Sequence, residues 1–204
     1  MIAIVNYRVG NVQSVLYALS RLGQEAVLTS DPEEIETADG VILPGVGAFA
    51  AARDDLGDRG LEEVICGLAE DGRPILGICL GLQLFFTESH EHGTHRGLDL
   101  FSGVVDRFEG RSKVPHMGWN QVSQTQDSPL WEGVEDDSFF YFAHSYFVQP
   151  EDEEVVIGKA DYEGEFVCAV AKESIFGLQF HPEKSGAAGE RVLANFCRFA
   201  EESS

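Results

Sequence analysis

The residues around Cys79 have the types and spacing of a nucleophilic site. Cys79 lies between Gly77 and Gly81, where an apolar run of strand length, residues 75–78, meets a helical pattern over 80–86. Glycines two residues to either side of a nucleophile allow the sharp strand-to-helix turn that exposes it. The N-terminus of the predicted helix would also favour the thiolate form of Cys79. The alternative is a buried, inert cysteine at a strand end.

A cysteine nucleophile needs a base, and the base needs a group that orients it. Of the six histidines, His181 follows an apolar run and begins the sequence His-Pro-Glu. In an extended chain His181 and Glu183 would project to the same side, and Pro182 would stiffen the link between them. A lone histidine at a strand end is usually structural, but the presence of Cys79 favours a catalytic triad of Cys79, His181 and Glu183.

A tetrahedral intermediate also needs hydrogen-bond donors that form an oxyanion hole. One donor would be the backbone N–H of Leu80, the residue after the nucleophile. A second could come from Pro44-Gly-Val-Gly47, whose glycines free the backbone to turn its N–H groups toward the site. That segment could instead be a simple strand–helix turn or a phosphate cradle. A phosphate cradle is the weaker alternative because the lysine and hydroxyl of a P-loop are missing.

The histidine-rich segment over residues 90–95 resembles a set of metal ligands. It contains His90, His92 and His95 in a polar stretch, and no cysteine or second carboxylate cluster completes the set. We therefore interpret it as a solvated loop and expect neither a metal nor a cofactor.

The elements that must position these residues alternate between strand and helix in the first half of the chain. Strands are predicted over residues 2–5, 25–28, 41–43 and 75–78, with helices from about residue 11, from residue 32, after residue 47 and over 61–69. This alternation predicts right-handed βαβ units and a mostly parallel sheet. The loops at the carboxyl ends of the strands, residues 7–10, 44–47 and Cys79, should then converge.

The second half of the chain shows a different pattern. Short β-like runs separated by turns cover residues 103–108, 121–124, 138–142, 147–148, 155–160, 166–172 and 175–180. Residues 161–164 read as a hairpin connection, and a last amphipathic helix spans about 187–200, with Val192, Leu193, Phe196 and Phe199 facing inward. No repeat or linker is visible, so we expect one domain over residues 1–204.

The composition excludes several classes of function. A formal net charge of −21, from 35 acidic and 14 basic residues, argues against binding to nucleic acids and to anionic membranes. We interpret the dispersed acidic residues as a surface adapted to high salt, where screening removes self-repulsion. The four cysteines show no C-x-x-C spacing, and neither a signal peptide nor an apolar run of membrane-spanning length is present, so we expect a cytoplasmic protein.

Taken together, the motifs resemble those of the class I (triad) glutamine amidotransferases. Pro-Gly-Val-Gly, Gly-Ile-Cys-Leu-Gly-Leu-Gln and Gln-Phe-His-Pro-Glu-Lys-Ser occur in the order and spacing of that family. Pro115-His-Met-Gly-Trp-Asn120 and His144-Ser-Tyr146 resemble, more narrowly, the glutaminase subunits of imidazole glycerol phosphate synthase. The resemblance covers essentially the whole chain. It implies a three-layer α/β glutaminase fold, with a mostly parallel central sheet flanked by helices and an added antiparallel β portion.

The resemblance also implies a reaction and a partner. Cys79 would attack the carboxamide of glutamine, His181 would protonate the leaving ammonia, and water would hydrolyse the resulting thioester to glutamate. Ammonia would pass to a cyclase subunit, a (β/α)₈ barrel that forms a heterodimer with this chain. There it would serve the synthesis of imidazole glycerol phosphate and aminoimidazole carboxamide ribotide in histidine biosynthesis.

Further residues take roles by their positions in the family motifs. The residues implied to hold the ends of glutamine are Gln83 and Glu91, helped by the backbone of Ser145 and Tyr146. The residues that correspond to the oxyanion strand are Gly45, Val46 and Gly47. The residues implied to contact the partner are Asn11, Trp119 and Lys184. Arg8 departs from the family pattern, in which a small residue is common, and this affects the expected contacts of its loop.

Two alternatives to this function stay open at the level of sequence. The chain could be a triad glutaminase of another pathway, such as purine, pyridoxal phosphate or anthranilate synthesis, although the segment over residues 115–120 argues against this. It could also be a degenerate scaffold that only binds a partner. Such a scaffold is expected to have lost part of the triad, whereas Cys79, His181 and Glu183 are all present.

Overall fold

Thirteen strands form one large mixed sheet in the part of the chain that the computed structural model describes, residues 1–7, 12–109, 113–162 and 164–203. In chain order they are β1 Ile2–Val5, β2 Ala26–Thr29, β3 Gly40–Gly45, β4 Ile75–Cys79, β5 Phe86–Ser89, β6 His95–Arg96, β7 Phe101–Arg107, β8 His116–Gln124, β9 Ser138–His144, β10 Tyr146–Pro150, β11 Val156–Asp161, β12 Glu165–Lys172 and β13 Ile175–Leu178. The helices are α1 Val12–Arg21, α2 Pro32–Glu36, α3 Phe49–Asp58, α4 Leu61–Glu70, α5 Leu80–Leu84 and α6 Gly186–Glu202.

The sheet has a parallel part and an antiparallel part, as the sequence predicts. The strands β2-β1-β3-β4-β13 lie side by side, and every pairing among them is parallel. From β13 the sheet continues through antiparallel pairings to β12, β10 and β7, and a branch leads from β12 through β11 to β8 and β9. β11 and β12 form the hairpin expected around residues 161–164.

Helices cover both faces of the parallel part, which gives the three-layer α/β architecture. On one face Val5 and Leu43 of the sheet pack in a cluster that includes Phe49 of α3 and Ile65 of α4. On the other face the apolar sides of α1 and α6 join a second cluster with the sheet residue Ile4. All four residues of β1 are buried, because a parallel strand between two helical layers has no solvent-facing side.

The structure corrects the helix predicted after Cys79. α5 ends at Leu84, and Phe86, which was placed at the end of that helix, begins the buried strand β5. The carbonyl groups of Leu84 and Phe85 accept hydrogen bonds from the backbone of Leu98 and Leu100, and β5 pairs with β7. These pairings with distant segments outweigh the local helical pattern of apolar residues.

Smaller differences concern the ends of β8 and β13 and the burial of one residue of α6. β8 begins at His116 rather than at residue 121, because its pairing with β9 starts there. β13 ends at Leu178, two residues before the predicted end. Phe199 is only half-buried, with its ring 5.2 Å from that of Phe176. None of the helices in the described residues is long and apolar enough to cross a membrane.

Candidate active site

The turn between β4 and α5 has the geometry of a nucleophile elbow. Cys79 adopts φ +55° and ψ −103°, a strained conformation for a residue with a side chain. A Cβ on Gly77 would lie 2.5 Å from the ring of Phe85, and one on Gly81 would lie 1.8 Å from the carbonyl oxygen of Leu43. Both glycines are therefore required by close approach, as the spacing around Cys79 predicts.

His181 and Glu183 lie together in the interior. The Nδ1 atom of His181 is 2.9 Å from Oε1 of Glu183, and both side chains are almost completely buried. The predicted extended conformation is wrong, since Pro182–Lys184 forms a 3-10 turn that brings the carboxylate back to the ring. Ser185 stabilises this turn because its hydroxyl donates to the carbonyl oxygen of His181, at 2.6 Å.

The surroundings of His181 raise its pKa. Burial lowers the pKa, but the neighbouring Cys79 thiol and the Glu183 carboxylate outweigh this effect and raise it to about 9. Nδ1 faces Glu183, so the interaction of the ring with Cys79 falls to Nε2, which is buried. Nε2 is therefore the nitrogen that can exchange a proton with Cys79 or with a reacting group.

A cavity of about 170 Å³ opens beside Cys79. Its walls are formed by Val46, Gly47, Cys79, Leu80, Gln83, Glu91, Pro115, Ala143, His144, Ser145 and Tyr146. These include every residue that the sequence analysis assigned to the oxyanion hole or to glutamine, except Gly45. Larger clefts of about 540 and 440 Å³ in the described part of the chain contain none of the predicted triad residues.

The segment after β3 lies directly beside the nucleophile. Gly45 is paired with Cys79 across the two parallel strands, and a Cβ on Gly45 would lie 2.6 Å from the hydroxyl of Tyr7. That hydroxyl donates to the carbonyl oxygen of Pro44, at 2.6 Å, and Tyr7 is fully buried. Gly47 adopts φ +126°, which favours glycine. The predicted convergence of the loops therefore holds for the described residues.

Gln83 belongs to a buried network that the sequence analysis did not identify. Its Nε2 atom donates to the carbonyl oxygen of Tyr146, at 3.0 Å, and to Oε1 of Gln179, at 3.1 Å. Gln179 is completely buried and donates in turn to Sγ of Cys79, at 3.6 Å. Its position at the start of the Gln-Phe-His-Pro-Glu motif was the available signal. For Tyr7 the signal was its place in the loop that follows β1.

Glu91 reaches the same cavity from the loop between β5 and β6. Its Oε2 atom accepts a hydrogen bond from the backbone N–H of Phe49, at 2.5 Å, and so stabilises the N-terminus of α3. α3 begins two residues after Gly47, so Glu91 connects the wall of the cavity to the end of the Gly45–Gly47 segment. Its expected contact with glutamine stays a prediction.

The histidine-rich segment forms ion pairs. His90 lies between Asp106, at 2.6 Å, and Glu88, at 3.1 Å, and these hydrogen bonds raise its pKa. Within the described ranges no three histidine, cysteine or acidic side chains are grouped as metal ligands would be.

Two of the residues expected to contact a partner are exposed. Trp119 is 56% exposed on β8, near the exposed side chains of Met117 and Phe139. Lys184 is exposed, with Nζ 5.8 Å from the ring centroid of Tyr141. Asn11 and Arg8 lie outside the described residues.

Comparison with known proteins agrees with this geometry. The family model described as "Glutamine amidotransferase class-I" matches residues 3–199. An imidazole glycerol phosphate synthase subunit HisH of Moorella thermoacetica is 51% identical over 96% of this chain and 93% of that protein. The same subunit of Archaeoglobus fulgidus is 51% identical over 96% of this chain and 97% of that protein.

Solved structures show the same fold at lower identity. One described as a glutamine amidotransferase superposes with a TM-score of 0.78 at 20% identity, covering 98% of this chain and 100% of its own. PurLQS from Thermotoga maritima gives a TM-score of 0.76 at 21% identity, covering 97% of each chain. With the family model and the full-length similarity at about half identity, the chain belongs to the class-I glutamine amidotransferases and, within them, to the family of the imidazole glycerol phosphate synthase subunit HisH.

Proposed function

We propose that this chain is the glutaminase subunit of an imidazole glycerol phosphate synthase, formed as one domain over residues 1–204. It hydrolyses glutamine and supplies the ammonia to a cyclase subunit in histidine biosynthesis. The observation that carries the proposal is the cavity of about 170 Å³ that holds Cys79 beside Gln83 and Glu91. Cavities for drug-sized ligands measure about 300–1,000 Å³, so this smaller one suits a single amino acid.

Cys79, His181 and Glu183 act as the catalytic triad in this proposal. The Cys79 thiolate attacks the carboxamide carbon of glutamine, and protonated His181 gives its proton to the leaving nitrogen, so that ammonia departs and a thioester remains. His181 then takes a proton from water, which attacks the thioester and releases glutamate. The raised pKa of His181 supports this role, because the ring carries the proton before the attack.

The negative charge that develops on the carbonyl oxygen needs donors at the elbow. The Leu80 N–H, the first after the nucleophile, is one, and the backbone at Val46 or Gly47 supplies the other. Two observations support this: Val46 and Gly47 line the cavity, and Gly45 is paired with Cys79.

The hydrogen bonds of Gln83 indicate which end of glutamine each wall of the cavity holds. The two N–H bonds of its amide donate to the Tyr146 carbonyl and to Gln179, one to each. The amide oxygen Oε1 is therefore the atom that can accept a hydrogen bond from a substrate. Gln83 and Glu91 thus both present acceptors, and they bind the α-ammonium group. The α-carboxylate is then bound by the backbone N–H groups of Ser145 and Tyr146.

The cyclase docks on the surface that carries Trp119 and Lys184, and the two chains form a cytoplasmic heterodimer. Asn11, which lies outside the described residues, is a further contact that the family resemblance implies. Met117, Trp119 and Phe139 are each more than half exposed, and large exposed apolar side chains on one hairpin are typical of a protein interface. The cyclase is a (β/α)₈ barrel, as the family resemblance implies.

The net charge of −21 adapts the surface to high salt. Screening by salt weakens the repulsion between exposed carboxylates, so the free energy of unfolding should rise as potassium chloride increases from low to molar concentration. Thermal unfolding at a series of potassium chloride concentrations measures this. A melting temperature that falls across the series would contradict the adaptation.

Glutamine hydrolysis, measured in high salt with and without the cyclase and its ligand, tests the function. We expect the cyclase to stimulate hydrolysis and glutaminase partners from purine or anthranilate synthesis to leave it unchanged. Cys79→Ala should abolish glutamine-dependent synthesis while ammonia-dependent synthesis by the complex continues. Hydrolysis of glutamine by the Cys79→Ala variant would refute the assignment of the nucleophile.

A further inference from the structure

Two buried histidines connect β8 to the wall of the glutamine cavity. Nδ1 of His116 lies 3.0 Å from Nε2 of His144, and Nδ1 of His144 lies 2.8 Å from the carbonyl oxygen of Tyr146. At the other end, Nδ2 of Asn120 lies 3.4 Å from Nε2 of His116. The four residues therefore form a continuous series of hydrogen bonds that ends at Tyr146, in the wall of the cavity beside Cys79.

The direction of every bond in this series is determined by its ends. The Tyr146 carbonyl can only accept, so Nδ1 of His144 carries the proton and its Nε2 accepts from Nδ1–H of His116. Nε2 of His116 then accepts from the Asn120 amide, whose orientation is fixed because its Oδ1 accepts from the N–H of Gln121, at 2.9 Å. Both rings are neutral in this arrangement, and each has a single tautomer.

The environment of the pair keeps both rings neutral and fixed. The ring of His116 is stacked between Tyr162 and Phe142, at centroid distances of 4.1 and 4.9 Å. Burial lowers the pKa of His116 to about 4 and that of His144 to about 3, and for His144 the hydrogen bond to Tyr146 opposes this effect only in part.

The carbonyl group of Tyr146, where this series of hydrogen bonds ends, also contacts Gln83, a residue proposed to bind the substrate. Tyr146 accepts from His144 on one side and from the Gln83 amide on the other. A carbonyl oxygen with two fixed donors holds its peptide plane in one orientation. This peptide group, between Tyr146 and Phe147, directly follows the two peptide groups that carry the N–H of Ser145 and of Tyr146, which are assigned to the α-carboxylate of glutamine.

We propose that His116 and His144 are positioning residues of the glutamine site, which hold the Ser145–Tyr146 backbone and the Gln83 amide in the orientation that binds substrate. This inference rests on the proposed function, because it takes glutamine as the occupant of the cavity. In the described part of the chain neither histidine is hydrogen-bonded to Cys79 or to His181. Their loss should therefore weaken binding of glutamine more than it slows the chemical step.

A matched pair of variants separates the hydrogen bond from packing. In His144→Asn the side-chain amide can replace Nδ1 and donate to Tyr146, whereas in His144→Gln it replaces Nε2 and leaves that carbonyl without this donor. KM and kcat for glutamine are measured with the cyclase present. Glutamine affinity is also measured by calorimetry in the Cys79→Ala background. We expect His144→Gln to raise KM and Kd about threefold to tenfold, the scale of one hydrogen bond, with kcat changed less, and His144→Asn to recover most of the loss.

The same comparison at His116 covers the case in which His144→Gln does not fold. His116→Asn can still donate to His144, whereas His116→Phe keeps the stack with Tyr162 and loses the donor. Equal KM values for the two members of either pair would overturn the inference and leave the histidines a packing role. Absence of cyclase-stimulated hydrolysis in the unsubstituted protein would instead refute the proposed function.

Discussion

Replacing Gly81 by alanine tests the elbow. Glycine is required at this position because there is no room for a Cβ atom, and not because of its backbone conformation. A Cβ at this position would lie 1.8 Å from the carbonyl oxygen of Leu43 and 2.9 Å from its carbonyl carbon, whereas ordinary contacts begin at 3.4 Å. Leu43 lies in β3, which is paired on both sides by parallel strands, so its backbone cannot move away. The overlap must displace α5 and, with it, the strained turn at Cys79.

The size of the effect follows from two opposing contributions. Alanine in a helix is favoured over glycine by about 0.5–1 kcal/mol. Forcing an extra methyl group into a closely packed interior costs about 1–3 kcal/mol or more. Gly67 in α4 isolates the first contribution, since a Cβ there has no atom within 4 Å. Because both variants gain the helical preference, we expect Gly81→Ala to be less stable than Gly67→Ala by the packing cost, about 1–3 kcal/mol or more, and each kcal/mol is about 2–4 °C in Tm for a chain of this size.

Urea unfolding and thermal melts of the two variants, both followed by circular dichroism, measure this difference, and glutamine hydrolysis reports on the elbow. Gly67→Ala should melt slightly above the unsubstituted protein and keep its activity. Gly81→Ala should melt below it and lose most hydrolysis. If Gly81→Ala matched Gly67→Ala in both stability and activity, the close packing of the elbow on β3 would not be what requires glycine.

Three further predictions concern single groups. Tyr7→Phe removes the buried hydrogen bond to Pro44 and should lower the free energy of unfolding by about 1 kcal/mol in urea. Burial lowers the pKa of His181, whereas Cys79 and Glu183 outweigh this effect and raise it to about 9, so the pKa should fall in Glu183→Gln. A raised pKa stabilises the fold below the ordinary value of 6.5, so the stability lost in this variant should be greatest below pH 6.5 and vanish as the pH rises through 9. Iodoacetamide should modify Cys79 first, as peptide mass spectrometry can show, because burial raises the pKa of the other three thiols.

The parts of the site that could be predicted are those whose determinants are local in sequence. The glycines around Cys79 reflect a steric requirement of one turn, and His181 and Glu183 are close enough in the chain to meet in either an extended or a turned conformation. The two side chains therefore meet although the predicted extended backbone between them is wrong.

The error at Phe86 has a different origin. Its apolar neighbours fit a helical pattern, but the carbonyl groups at the end of α5 bond to Leu98 and Leu100, and β5 joins the sheet beside β7. Pairing with a segment further along the chain cannot be read from local periodicity, and it overrides local propensity when the two conflict.

The sequence by itself therefore determined the α/β layering, the nucleophile elbow and the candidate triad, since each depends on residue types at short spacing. Only the tertiary structure decided the contacts that complete the cavity: Tyr7 on Pro44, Gln179 between Gln83 and Cys79, and His144 on Tyr146. The partners in most of these contacts lie far apart in the chain. They meet because strand register and side-chain rotamers, which depend on the whole packed fold, bring one donor to one acceptor.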